Sequence, residues 1–323
     1  MNQAIPAVAP EATFDDTWPF HARYIDAPSF RMHYIDEGTG PETLLLLHGE
    51  PTWSYLFRQQ IPVWAARYRV IAIDHMGFGK STAPQDRTYW LQDHIDNLER
   101  VVLALDLDQL TLVMHDFGGP AGMGLAIRHP NRIKRIISVN GPTPMGQPNL
   151  LDQITANVAV SPWFQWILKA EGEGTLEKIL GESHYCMLST LKLNGFVDNS
   201  IVTDTWLEAY RAPLPNPDEV LGVIGWAKGF ATGQHQFEMP SEATKNVLAI
   251  KPALAIWGKQ DRTLHGEHFL PLFRSAFPNG IVHEIDQAGH YSPEDQPLLI
   301  AHLIDAFMQT TGVLKTIDNQ KGS

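Results

Sequence analysis

The chain has 323 residues, 44% of them hydrophobic and 19% charged, with a formal net charge of −12. That size and apolar content suffice for two domain-sized units, or one large α/β domain with an insertion, and exclude a disordered chain. The acidic balance, with no cluster of Lys or Arg, argues against a nucleic-acid partner, whose phosphates need a basic face.

The opening, MNQAIPAVAPEATFDD, lacks the basic end and apolar run of a signal peptide. No apolar stretch approaches the ~18 residues of a membrane span. Cys186 is the only cysteine, so no intrachain disulfide can form. The expectation is a soluble, cytoplasmic protein without a membrane partner. Residues 1–18 read as a loose arm. His21–Ile25 and Phe30–Glu37 read as strands joined by a turn, and Thr43–Leu47 as a buried strand closed by His48-Gly49-Glu50. Helical spacing follows over Trp53–Ala66, then a strand at Arg69–Ile73 and a helix at Tyr89–Leu105.

Leu110–Met114 is another apolar, β-branched run, followed at once by His115-Asp116-Phe117-Gly118-Gly119 and an amphipathic stretch. Strand, abrupt turn and helix is the context in which a nucleophile elbow lifts one side chain above the strand tips. The elbow is usually G-x-S-x-G; here Asp116 holds the middle position and Met114 replaces the first glycine. A carboxylate attacking a carbonyl would form a strained anhydride. At a saturated carbon it forms an alkyl ester that water can hydrolyse. For Asp116 alone, an ordinary cap on the following helix is the competing reading.

Ile133–Val139 is the next strand, after which alternation stops. Thr143–Gly229 is helical in pattern and rich in tryptophan. Strands resume at Ala253–Trp257 and Ile281–Ile285, with helices at Gly266–Phe277 and Gln296–Thr311 and a polar tail after Gly312. Strand–helix alternation implies a mainly parallel, doubly wound sheet covered on both faces, the inserted block forming a cap. The expected division is core 19–142, cap 143–229 and core 230–312, with loose termini at 1–18 and 313–323.

In such a sheet, ligands sit outside the carboxyl ends of the strands. Glu50, Asp116, Asp261 and His290 each follow a strand there, and nucleophile, acid, histidine is the chain order of the α/β-hydrolase triad. Fourteen histidines invite a metal reading, but no His-Glu-x-x-His occurs and His265-Gly266-Glu267-His268 has the wrong spacing, so no metal is expected. Gly79-Lys80-Ser81 mimics the end of a phosphate loop, but Asp74 stands where the loop needs its first glycine.

From about Phe20 to Thr310 the chain resembles the α/β-hydrolase superfamily, and within it the aspartate-nucleophile branch of haloalkane dehalogenases and epoxide hydrolases. The run His48-Gly49-Glu50-Pro51-Thr52-Trp53-Ser54-Tyr55-Leu56-Phe57-Arg58 is close to the dehalogenase signature, and Tyr210-Arg211-Ala212-Pro213 also recurs there. The resemblance implies Asp116 as nucleophile, His290 as the base that activates water, and Asp261 as the carboxylate that orients His290. Some dehalogenases carry that acid one strand earlier; Val139-Asn140-Gly141 is uncharged here. It further implies an oxyanion hole from the backbone N–H groups of Glu50 and Phe117, no cofactor, and a small apolar substrate with water.

The chain departs from the dehalogenase pattern at Phe117. A tryptophan usually stands there and its N–H holds the halide, a bond worth about 1.5–3 kcal/mol. A charged Glu50 would repel halide, which leaves Trp163 or Trp166 as candidate donors. For epoxide opening the candidates are Tyr185 and Tyr210. β-Lactone processing and a non-catalytic binding role are the remaining alternatives.

Overall fold

The computed structural model describes residues 7–26, 30–182, 187–215 and 220–320. Its strands are β1 (Arg23–Asp26), β2 (Arg31–Glu37), β3 (Thr43–Leu47), β4 (Arg69–Ile73), β5 (Leu110–His115), β6 (Ile133–Val139), β7 (Ala253–Gly258) and β8 (Ile281–Ile285). They form one sheet in the order β1-β2-β4-β3-β5-β6-β7-β8. β1, β2 and β4 pair antiparallel, and every pairing from β4 through β8 is parallel. Central strands such as Leu44–Leu47 and Val70–Ile73 are fully buried, as expected when helices cover both faces.

Helices α1 (Ile61–Ala65), α2 (Leu91–Ala104) and α3 (Gly118–Arg128) connect the first strands. Between β6 and β7 lie α4 (Leu150–Val160), α5 (Pro162–Gly172), α6 (Leu176–Glu182), α7 (Met187–Asn194), α8 (Asp204–Arg211), α9 (Leu221–Ala231) and α10 (Glu242–Ala249). Of these, α4 to α9 pack largely on one another, whereas α10 returns to pack on α3. Helices α11 (Gly266–Ala276), α12 (Ser292–Asp295) and α13 (Pro297–Gln320) complete the chain. Among the described residues no helix is long and apolar enough to cross a membrane.

Four stretches differ from the sequence reading. The helix expected over Trp53–Ala66 is split into a 3-10 turn, Ser54–Phe57, and α1. The Ser54 N–H donates to Asp74 Oδ1 at 2.8 Å, and Pro62 starts α1 afresh. The arm before residue 19 is not loose where it is described. Trp18 is fully buried, Phe14 packs edge-on against Trp53 and Tyr55, and Lys80 Nζ donates to the carbonyls of Pro10 and Ala12. That contact gives Lys80 a structural role, consistent with rejecting the phosphate loop. Finally, α13 continues through Gln320 rather than ending near Thr311, and α9 passes Gly229 to reach Ala231.

Candidate active site

β3 lies between β4 and β5, with Leu47 in register with Met114. The residues after β3 and β5 therefore emerge side by side. Asp116 turns sharply out of β5 with φ +50, a conformation uncommon for a residue with a side chain. The turn is crowded. A Cβ at Gly49 would lie 2.3 Å from Asp116 Cβ, and one at Gly118 would lie 2.3 Å from the Leu47 carbonyl oxygen. Only glycine allows the two strand ends to approach this closely.

The Glu50 N–H donates to Asp116 Oδ1 at 2.7 Å, and the neighbouring Phe117 amide adds to the forces that lower the Asp116 carboxyl pKa. On the other side, His290 Nε2 lies 3.4 Å from Asp116 Oδ2. His290 Nδ1 donates to Asp261 Oδ2 at 2.9 Å. Asp261 is held by four groups: His290, Asn140 Nδ2 at 2.8 Å, and the amides of Thr263 and Leu264, each at 2.8 Å. Asp116, Asp261 and His290 are all buried, so their charges interact with little screening.

Burial by itself opposes charge on His290, but the Asp261 carboxylate, reinforced by Asp116, raises its pKa to about 10. Burial likewise pushes Asp116 upward, and the interaction with His290 together with the Phe117 amide outweighs it, leaving this carboxyl below its ordinary value. Glu50 is different. Burial and then the Asp116 charge push its carboxyl well above the ordinary range, favouring the neutral acid rather than the halide-repelling anion expected from sequence.

Asp116 and Phe117 line a cavity of about 70 Å³. Its wall is almost wholly apolar and includes Phe164, Phe230, Phe237, Leu264 and Phe269. The polar wall residues other than Asp116 are Asn157 and His235. Asn157 donates to the Thr263 carbonyl and accepts from the His265 amide. His235 is engaged at both ring nitrogens.

Several expected contacts are not on this wall. Trp163 and Trp166 do share a helix face, but they stack on each other at 5.3 Å. Phe164, one position along, turns into the cavity instead. Tyr210 is buried with its hydroxyl donating to Glu294, which also takes Arg58. Tyr185 lies outside the described residues.

Sequence reasoning missed several supports of the site. Asn140 Oδ1 accepts from Ser292 Oγ and the Gly258 N–H while its amide serves Asp261. His115, whose burial lowers its pKa to about 4, donates from Nε2 to the His290 carbonyl at 2.9 Å. Asp295 accepts from the amides of Val197, Asp198 and Gly289, tying the inserted helices to the loop that carries His290. The Gly229–His235 turn carried no sequence signal beyond its glycines.

A buried carboxylate on a strained strand-to-helix turn, flanked by an Asp–His pair and held by the Glu50 amide, is the arrangement of a hydrolytic enzyme. The chain belongs to the α/β hydrolase fold family, whose profile matches residues 42–297. It is 29% identical over 294 residues to haloalkane dehalogenase 2 of Mycobacterium tuberculosis, covering 89% of this chain and 94% of that one. It is 30% identical over 316 residues to a cis-3-alkyl-4-alkyloxetan-2-one decarboxylase of Shewanella oneidensis, covering 96% and 95%. Among solved structures it resembles haloalkane dehalogenase DpaA of Paraglaciecola agarilytica, with a TM-score of 0.66 and 25% identity over 89% of this chain and 92% of that one.

Proposed function

We propose that the chain hydrolyses a small apolar electrophile, a haloalkane by preference, through a covalent alkyl ester on Asp116. The observation that carries this reading is the division of labour at the two Asp116 oxygens. Oδ1 is held by the Glu50 amide at 2.7 Å, while Oδ2 lies 3.4 Å from His290 Nε2 and Asp116 borders the cavity. Oδ2 attacks the saturated carbon, a C–O bond forms, and the leaving group departs with the bonding electron pair. The ester has no carboxylate charge, so one of the two anions that hold His290 protonated is lost. His290 then releases a proton and can act as base. It takes a proton from water as that water attacks Asp116 Cγ. The oxyanion that develops on Oδ1 is stabilised by the Glu50 and Phe117 amides. The alcohol leaves with the proton from His290, for a net release of alcohol, halide and one proton.

The helices α4 to α9 act as the cap in this reading. They enclose the carboxylate in apolar surroundings that strip it of water and strengthen it as a nucleophile. The test is a trap. In His290→Ala the ester forms but is not hydrolysed, and mass spectrometry with 1-bromobutane shows a butyl adduct on Asp116. A variant that turns over without an adduct contradicts the proposal.

A second reading is favoured by the cavity wall, whose polar side chains among the described residues, besides Asp116, are Asn157 and His235, each already hydrogen-bonded to the main chain. In a β-lactone the leaving carboxylate is part of the substrate, and the Shewanella relative is named for such a ring. Epoxide opening has less support, because the Tyr210 hydroxyl is committed to Glu294. Halide release and carbon dioxide release, measured side by side, separate the first two.

A further inference from the structure

His235 stands where the chain returns from the inserted helices. After α9 the chain reverses at Gly233, with φ +68, and the amides of Gln234 and His235 both donate to the Gly229 carbonyl. This folds the His235 ring back onto the last turns of α9. Gly229 makes room for it, since a Cβ there would lie 2.3 Å from His235 Cε1.

The ring joins two parts of the molecule. Its Nδ1 accepts from the Leu91 N–H at 3.1 Å, one of the amides left unpaired at the start of α2. Its Nε2 faces the Trp226 carbonyl of α9 at 2.9 Å. A backbone N–H can only donate and a carbonyl can only accept, so these two partners fix His235 as the neutral Nε2–H tautomer. The same ring meets Phe117 edge-on at 5.2 Å, while Trp226 stacks on Phe117 at 4.5 Å and 18°. Phe117 thus contacts two rings, and one of them, His235, is tied by a hydrogen bond to the main chain of the other, Trp226. Phe117 follows Asp116 directly in the turn, its amide is one of the groups that lower the Asp116 carboxyl pKa, and both Phe117 and His235 border the cavity.

We propose that His235 is a positioning residue for Asp116: it fixes the Phe117 ring against Trp226 and so sets the cavity wall and the amide beside the reacting carboxylate. The role rests on the covalent reading above and acts through Phe117, without contact to the reacting atoms.

The experiment is a double-mutant cycle in the His290→Ala trap, with 1-iodobutane as the alkylating probe and adduct formation followed by intact mass. His235→Phe keeps a ring but removes both hydrogen bonds, and should slow alkylation about tenfold, since small misplacements at a reacting centre are costly. If the effect passes through Phe117, the His235→Phe/Phe117→Leu pair is no slower than Phe117→Leu alone. His235→Gln, which retains one acceptor and one donor, should recover the rate to within about threefold of the parent. An unchanged rate in His235→Phe overturns the proposal, as do effects that multiply in the pair, or a folded His235→Gln as slow as His235→Phe. If the trap forms no adduct at all, the covalent reading fails. Positioning is then decided by hydrogen exchange over residues 114–120. A rise of about tenfold in His235→Phe supports it, and no change overturns it.

Discussion

His290 is shared between two carboxylates on unequal terms: its Nδ1 is 2.9 Å from Asp261 Oδ2, but its Nε2 is 3.4 Å from Asp116 Oδ2. The short contact orients the ring. The longer one leaves the Asp116 side free to change when that carboxylate becomes an ester. A charge that holds the imidazole protonated at rest and vanishes on alkylation would switch the base on only once there is an ester to hydrolyse.

The first prediction concerns Phe117. Its ring borders the cavity and donates nothing, so Phe117→Trp supplies an indole N–H at the leaving-group end if the stack on Trp226 is kept. Halide release from 1-bromobutane should rise about tenfold, near 1.4 kcal/mol. Unchanged or lower halide release, together with measurable turnover of a dialkyl β-lactone, would assign the enzyme to the lactone chemistry.

Side chains that the fold keeps off the cavity should behave as packing. Trp163→Phe and Trp166→Phe disturb their mutual stack and the packing around it, off the cavity wall, so any loss should show in Tm while kcat should stay within about twofold. Tyr210→Phe removes a donor from buried Glu294 and should cost about 1.5–3 kcal/mol of stability with little change in kcat. Thermal melts run beside kinetics check both. A large loss of kcat at unchanged Tm in a tryptophan variant would restore it as a leaving-group contact.

The histidines make stability fall on both sides of neutrality. Burial, before any neighbouring charge, lowers the pKa of His48, His75, His94, His115 and His235, the last two to about 4. The unfolded chain binds protons that the fold refuses. Their stabilising contribution is therefore present above pH about 6.5 and is lost as pH falls, at up to about 1.4 kcal/mol per pH unit for each residue. His290 has the opposite sign. Its pKa is raised to about 10, so its contribution is full below about 6.5 and is lost as pH rises through about 10. Tm measured from pH 5 to 10 should fall at both ends, with His75→Phe flattening the acid side and His290→Gln the alkaline side. An acid limb unaffected by His75→Phe contradicts this assignment.

The sheet and the order of its site residues were readable because apolar runs of five or six residues followed by His-Gly-Glu, His-Asp-Phe and Asp261 carry their own punctuation, and the mixed strand Ile281–Ile285 before His290 completes the alternation. The cavity wall was not. Periodicity places Trp163 and Trp166 on one face of α5 but cannot say which face meets the core, and the choice fell to Phe164. Tyr210 was misread because its partner, Glu294, lies 84 residues away in α12. Asn140 looked inert for lacking charge, yet its amide is what a buried carboxylate needs as a second donor. Charge states were hidden for the same reason: Glu50 is driven toward neutrality by burial and by Asp116, neither of which composition encodes.

The most direct test of the central claim is oxygen labelling of the enzyme itself. During many turnovers of 1-bromobutane in oxygen-18 water, hydrolysis of an ester at Cγ places solvent oxygen in the Asp116 carboxylate. Peptide mass spectrometry should then find the peptide containing Asp116 heavier by one or both oxygens, in the wild type and not in His290→Ala. Labelled alcohol from an enzyme whose Asp116 stays unlabelled would mean that water attacks the substrate directly, and the covalent account would be wrong.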